Sequence, residues 1–375
     1  MNEIIKKFSA SLNDTLITDF RDVVNEGEFA YHYFSHRGGK NQFSPICSCM
    51  DWISVSVRYI TNFPEFSKDI DVKAMQVYSL ISSIDIAVEA LQQLHRIIEN
   101  DHKLVRWPFN EFNHVFSNKI AHLSNKKDDE YFKEVRSIFG AHPTNLCNNG
   151  ERMFASWPHF HAFNGNDFTV SIYNNIPGKD DVIFGIKINE LLIFLKERYE
   201  YLVGLKDAVV AIRDKHYENL IVKIIPKSGN IHEELKILLS EVVSRGDNDY
   251  YKMEVQELIY LFEADIKEAH LLVEANEFQG KLLPVVEEIR CNLQNMTLVD
   301  LTTTEGVIFS SLPNYALSYE LQKLFTWLHS DRYDPMGNYY IEQLNKFSKG
   351  RYCFSITDNE STTLLKLRMM LHSHQ

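Results

Sequence analysis

The chain has 375 residues, a net charge of −12, 45% hydrophobic and 24% charged residues, with only 15 glycines and 10 prolines. Those figures exclude a collagen-like, mucin-like or intrinsically disordered chain and leave an ordinary globular protein long enough for two or three domains. The negative charge argues against avid, indiscriminate binding to nucleic acid, although a local basic patch remains compatible with it.

The first residues, MNEIIKKFSASLNDTLITDF, carry acids and polar groups where a secretory h-region would be continuous and apolar. No uninterrupted apolar run approaches a membrane span, and LLIFL at 191–195 is among the longest. A cytoplasmic protein without membrane attachment is expected. The five cysteines are irregularly spaced, and Cys47-x-Cys49 has no second pair to complete a zinc ribbon. Reduced, structural cysteines are expected, with no metal and no cofactor.

In chain order, Ile4, Ile5, Phe8, Leu12, Leu16 and Phe20 form one apolar face at helical spacing. Residues 48–60 fit a helix, although Ile53, Val55 and Val57 also alternate as in a strand. Residues 71–100 keep a helical period for about eight turns, with Asp69 and Asp71 suited to the N-terminus. A short helix is expected around 112–120. Residues 128–141 then form a helix with acids in the first turn and Phe132, Val135 and Phe139 on one face. Together these make a helical bundle over 1–145.

The texture changes in the loop at 145–165. Residues 167–174 and 180–188 are β-rich runs that form a hairpin. Helices are expected at 188–220, 231–244, 248–276, 281–295, 316–329, 338–348 and 361–372. The fold class is therefore mainly α: an N-terminal helical bundle, a β-hairpin, and a second helical region to 375. A softer boundary falls near 296–315, where helical character is lost.

The pattern that carries chemistry is EVRSIFGAHPTN at 134–145. Arg136 and His142 stand in an R-x₅-H arrangement at the end of the last helix of the bundle. Gly140 lets the last turn deform, and Pro143 pushes His142 out of the α region. On a straight helix six residues leave the two side chains roughly 120° apart and ~9 Å offset, so they would not converge without deformation or a second copy. Arginine binds phosphate oxygens in a bidentate fork, and histidine exchanges protons near neutrality. The same residues also suit an ordinary helix stop, with cations against the helix dipole.

Over residues 1–145 the sequence resembles the HEPN superfamily, through Arg136, His142 and the Ala141-His142-Pro143 ending. That resemblance implies a HEPN-like bundle and a metal-independent endoribonuclease that works as a homodimer, with RNA as substrate, in a bacterial defence or toxin–antitoxin setting. His142 would be the general acid/base and Arg136 would stabilise phosphate charge. Active members often carry Asn or another polar residue directly after the arginine; here that position is Ser137, polar but not Asn. Ser137, Lys119, Lys126 and Lys127 are candidate substrate contacts, the lysines lying just before the motif helix. His95 and His102, near the end of the long helix, are further candidates to approach that helix, though not as catalytic groups. His159-x-His161 has the spacing of two metal ligands on a strand but lacks an obvious third. The region 165–375 shows no reactive constellation, which suits a regulatory module or a docking surface for a protein partner such as an antitoxin. The competing expectation is a non-catalytic helical scaffold or sensor.

Overall fold

The computed structural model describes the chain except for residues 14, 142–143, 145, 149–150, 157–164, 305–306, 309–322, 324–325, 328–335 and 374–375. It is mainly helical, with a small antiparallel sheet between helical regions, as the periodicities predict. By compactness it divides into Met1–Arg213 and Asp214–Gln375. The texture change at 145–165 is a change of secondary structure; the sheet that follows shares the core of the first unit.

The first unit begins with α1 (Asn2–Ser11) and α2 (Leu16–Asn25). The single apolar face expected from Ile4 to Phe20 is split, because Leu12 turns extended. The Asn13 side chain then accepts from Thr15 N and Thr15 Oγ1, a local side-chain bond of the kind that competes with helix. Both halves still bury their apolar residues, Ile5 and Phe8 in α1, Ile17 and Phe20 in α2. A short α3 (Phe29–Ser35) leads to α4 (Phe43–Thr61). The strand-like alternation at 53–57 is not expressed. Ile46, Met50, Ile53, Val57 and Ile60 are buried at helical spacing, while Val55 stays exposed.

The long helix α5 (Ile70–Ile98) packs against α4 and forms the centre of the unit. Asp69 caps it by accepting from Asp71 N and Val72 N, which satisfies two of the first-turn donors. By length and composition α5 would suffice to cross a bilayer, a point that the search for uninterrupted apolar runs misses because polar residues are interspersed. Here its apolar positions, among them Val77, Leu80, Ile84 and Leu91, are core. No helix forms at 112–120. The chain there is irregular up to a single 3₁₀ turn at Ala121–Leu123, held by Asp128, which accepts from His114 N and Val115 N.

The motif helix α6 (Asp128–Arg136) is shorter than expected, because Ser137–Ala141 continue as a π turn. Strands β1 (Leu146–Asn148), β2 (Glu151–Ser156), β3 (Phe168–Asn174) and β4 (Val182–Ile186) form an antiparallel meander in sequence order. The predicted hairpin is β3–β4, with Phe168 opposite Ile186, and β2 and a three-residue β1 extend it. Its buried face, Val170, Ile172, Phe184 and Ile186, lies in the core. The Phe184 ring centroid is 5.5 Å from that of Phe139 in the π turn, so the sheet backs the end of the motif helix. The helix predicted over 188–220 is two segments, α7 (Ile188–Glu200) and α8 (Leu202–Ile221), meeting at Tyr201.

The second unit contains α9 (Ile231–Ser244), α10 (Asp249–Glu263), α11 (Ala269–Asn295), α12 (Gly337–Ser348) and α13 (Glu360–His372). The break expected at 277–280 falls instead at 264–268. Pro284 sits inside α11 without ending it. Proline removes the bond to the carbonyl four residues back, that of Gly280. Both Pro284 and Gly280 are exposed, so water can replace that bond. The helix predicted at 316–329 lies largely outside the described residues. Helix α13 is buried on all sides from Ser361 to Leu371. It tolerates this because Lys366 Nζ donates to Glu268 Oε1, Asp358 Oδ2 and Cys353 O, satisfying the three donors of a buried ammonium.

Candidate functional site

Arg136 is the last residue of α6. Its Nε lies 2.9 Å from Asp85 Oδ2 on α5, with Arg136 45% exposed and Asp85 15%. The pair fixes the guanidinium where α6 passes into the π turn. Burial raises the Asp85 carboxyl above its ordinary range, and Glu89 raises it further, while Arg136 and Lys133 oppose the shift. Burial thus outweighs the attraction of the arginine.

The π turn changes the geometry expected of the motif. Its hydrogen bonds span five residues rather than four, so the chain after Arg136 rotates less per residue than in an α-helix. Gly140 sits against the Tyr78 ring of α5, with a Cβ there coming within 3.3 Å of it. His142 lies outside the described residues, as do His159 and His161.

The remaining candidates are distributed rather than converged. Lys119 is almost fully buried beside Asp128 and donates to Lys126 O, Asp128 Oδ1 and Asn113 Oδ1. Its donors are spent on holding the 113–128 loop. Lys126 pairs with Glu134 at 3.0 Å and Lys127 with Glu111 at 3.1 Å. Ser137, His122, Lys126 and Glu134 line a small cavity of about 110 Å³. His122 is lowered by desolvation, with Lys126 and Lys179 adding to the shift and Glu134 opposing it.

His95 does not reach the motif helix. It is buried, with Nδ1 2.8 Å from Tyr201 Oη and Nε2 3.2 Å from Asp101 Oδ2. Asp101 also accepts from Val105 N and Arg106 N. Burial opposes ionisation of Asp101, but the bonds from Arg106 N, His95 and Val105 N outweigh it and hold the carboxyl below its usual range. Burial pushes the Tyr201 phenol up to about 12. This network ties the connection after α5 to the α7–α8 junction. His102 is exposed in the same connection.

Cys47 and Cys49 sit on α4. Burial raises both thiols, Cys49 to about 11, which disfavours the thiolate that binds metal. Among the described residues no three His, Cys, Asp or Glu side chains are placed to share an ion.

Two features escaped the sequence reading. Asp85 is one, a polar residue within the helical period of α5 that gives no local signal of its partner fifty residues on. The other is an exposed apolar stripe along α4 and α5. Trp52 is 53% exposed and Met75 64%, and Val55, Tyr59, Val72, Tyr78 and Ile86 are exposed beside them. Tyr59 Oη and Ser79 Oγ, 2.8 Å apart, bridge the two helices within it. A depression of about 320 Å³ lined by Trp52, Cys49, Ile86, Asp85 and Glu89 joins the stripe to the Arg136–Asp85 pair. No protein family, no curated protein and no solved structure matches the chain.

Proposed function

We propose that the chain is a metal-independent endoribonuclease of the HEPN type, with Arg136 and His142 forming the reactive centre at a cleft between two copies. The observation that carries the reading is the placement of Arg136. Its guanidinium is half exposed at the end of the motif helix, is oriented by Asp85, and borders an apolar face that a second copy can cover. Large exposed apolar patches mark interaction sites, and two-fold pairing brings the same helix end from each copy to one cleft.

The chemistry needs little else. The substrate's 2′-oxygen attacks the adjacent phosphorus and the bond to the 5′-oxygen breaks, giving a 2′,3′-cyclic phosphate and a 5′-hydroxyl. His142 takes the proton from the attacking 2′-hydroxyl or delivers one to the leaving 5′-oxygen, and water exchanges the other proton. Arg136 stabilises the charge on the equatorial phosphate oxygens. A bacterial defence or toxin–antitoxin setting, and an antitoxin or other partner on the second unit, belong to the same proposal.

The second reading is a helical scaffold or sensor without catalysis. It draws on the ion pairs themselves: Arg136, Lys119, Lys126 and Lys127 each have a carboxylate partner. The two readings separate on the ends of RNA incubated with the protein in EDTA. Fragments bearing cyclic phosphate and 5′-hydroxyl ends support the nuclease. Intact RNA, from protein shown to be folded and dimeric, supports the scaffold.

A further inference from the structure

A groove of about 660 Å³ runs between α2 and α4. Arg21 and Arg58 line it together with Thr18, Ser54 and Thr61, and one carboxylate, Asp51. Arg21 Nη2 donates to Asp51 Oδ1 at 3.0 Å and to Ser54 Oγ at 3.3 Å. Arg58 uses its Nε on Ser54 O at 3.2 Å. Among the described residues the two terminal nitrogens of Arg58 make no hydrogen bond.

The lining therefore carries two guanidinium groups against one carboxylate, in a chain whose net charge is −12. Ser54 Oγ and Thr61 Oγ1 already donate to Met50 O and Arg58 O, so the donors left for a ligand are chiefly the terminal nitrogens of Arg58. A guanidinium fork with unspent donors is the chemistry that receives phosphodiester oxygens. Val55 lines the groove and is also one of the exposed apolar residues of the α4–α5 stripe.

We propose that this groove binds the phosphodiester backbone of single-stranded RNA, with Arg58 as the principal contact and Arg21 as its support. The proposal rests on the ribonuclease reading and adds to it a substrate-holding site remote from Arg136. The Asp51 carboxylate tempers the groove: it competes with phosphate for Arg21 and keeps the affinity modest. Each phosphate neutralised releases condensed counterions, so the site has a salt signature distinct from any loss of fold.

The experiment is fluorescence anisotropy of a labelled 2′-O-methyl uridine oligomer, which binds but cannot be cleaved, titrated with the full chain across a salt series. For the wild type, log affinity falls linearly with log salt. Arg58→Ala weakens binding about three- to tenfold and reduces the slope by about 0.7, the share of one single-strand phosphate contact. Arg58→Lys recovers part of both, and Asp51→Asn tightens binding at low salt. Arg136→Ala, which removes the proposed reactive charge, leaves the Arg58 increment in place. Wild-type affinity and slope in Arg58→Ala and Arg58→Glu, with RNA still bound, would overturn the groove and leave the ribonuclease reading standing. Absence of binding by the wild type at every salt concentration would overturn both.

Discussion

Arg136 at the end of α6 and Asp85 in the middle of α5 form an ion pair in which burial has raised the carboxylate despite the arginine beside it. The two partners should therefore respond unequally to mutation. Asp85→Asn removes a charge that the folded state holds unfavourably, so stability at pH 7–8 should be unchanged or slightly increased. Arg136→Ala leaves the buried carboxylate without its counter-charge and should cost about 1 kcal/mol, discounted because the arginine is half exposed. Because the raised carboxyl favours protonation in the folded state, the Arg136→Ala penalty should shrink as pH falls toward 4. Urea melts of the two variants at pH 4.5 and 7.5 check this; a larger loss in Asp85→Asn than in Arg136→Ala at pH 7.5 contradicts it.

Burial of Arg198 makes the footing of the motif helix sensitive to one residue. Its guanidinium is fully buried, with Nη2 2.6 Å and Nε 2.7 Å from Asp129 Oδ1, and it donates to Phe194 O at 3.1 Å. Asp129 also accepts from Trp107 Nε1. Asp129→Ala leaves the buried guanidinium with only Glu197 Oε2 at 3.5 Å as an ion-pair partner and should destabilise by about 3 kcal/mol. Thermal denaturation should show the loss, with Asp129→Asn intermediate. A change below about 1 kcal/mol in Asp129→Ala would show that the pair contributes no more than an exposed one.

Glu254 on α10 gives the second unit a pH dependence. Its side chain is buried, and desolvation, with Glu257 adding and Arg368 opposing, pushes the carboxyl up to about 7. The folded protein then holds a proton between about pH 4.5 and 7 that the unfolded chain releases. Stability should fall as pH rises through that window and level off above it. Glu254→Gln should abolish this slope and gain about 2–3 kcal/mol at pH 8, with little gain at pH 4.5. Equal melting differences at the two pH values would remove Glu254 as the cause.

The exposed stripe on α4 and α5 predicts self-association. Size-exclusion chromatography with light scattering should give about twice the 43.8 kDa chain mass. Trp52→Glu places a charge at the centre of the apolar face and should yield a folded monomer with unchanged circular dichroism. A wild-type monomer at micromolar concentration argues against pairing through this face.

Long-period elements were legible in the sequence, and their interruptions were not. Helix α5 and its Asp69 cap follow from apolar spacing and one capping residue, both local properties. The break at Leu12, the split at Tyr201 and the passage of α11 through Pro284 depend on local side-chain bonds or on which face meets solvent. Periodicity does not encode these. The same limit applies to the site. That a helix carries Arg136 was readable from the apolar period of Phe132 and Val135, but its end was expected at 141 and falls at Arg136. The π turn, Asp85 and the Trp52 stripe were not readable, because each is set by contacts between α4, α5 and α6. Lys119 illustrates the converse: a lysine beside a motif looked available for phosphate, and tertiary structure had already used its donors.

The most direct test of the central claim is cleavage of a mixed RNA pool in EDTA by the wild type, Arg136→Ala and His142→Ala, all shown to be folded. The account predicts cleavage by the wild type and loss of at least a hundredfold in rate in each variant, about 2.7 kcal/mol of transition-state stabilisation. Equal rates in the three proteins, or cleavage that disappears with EDTA, would contradict it.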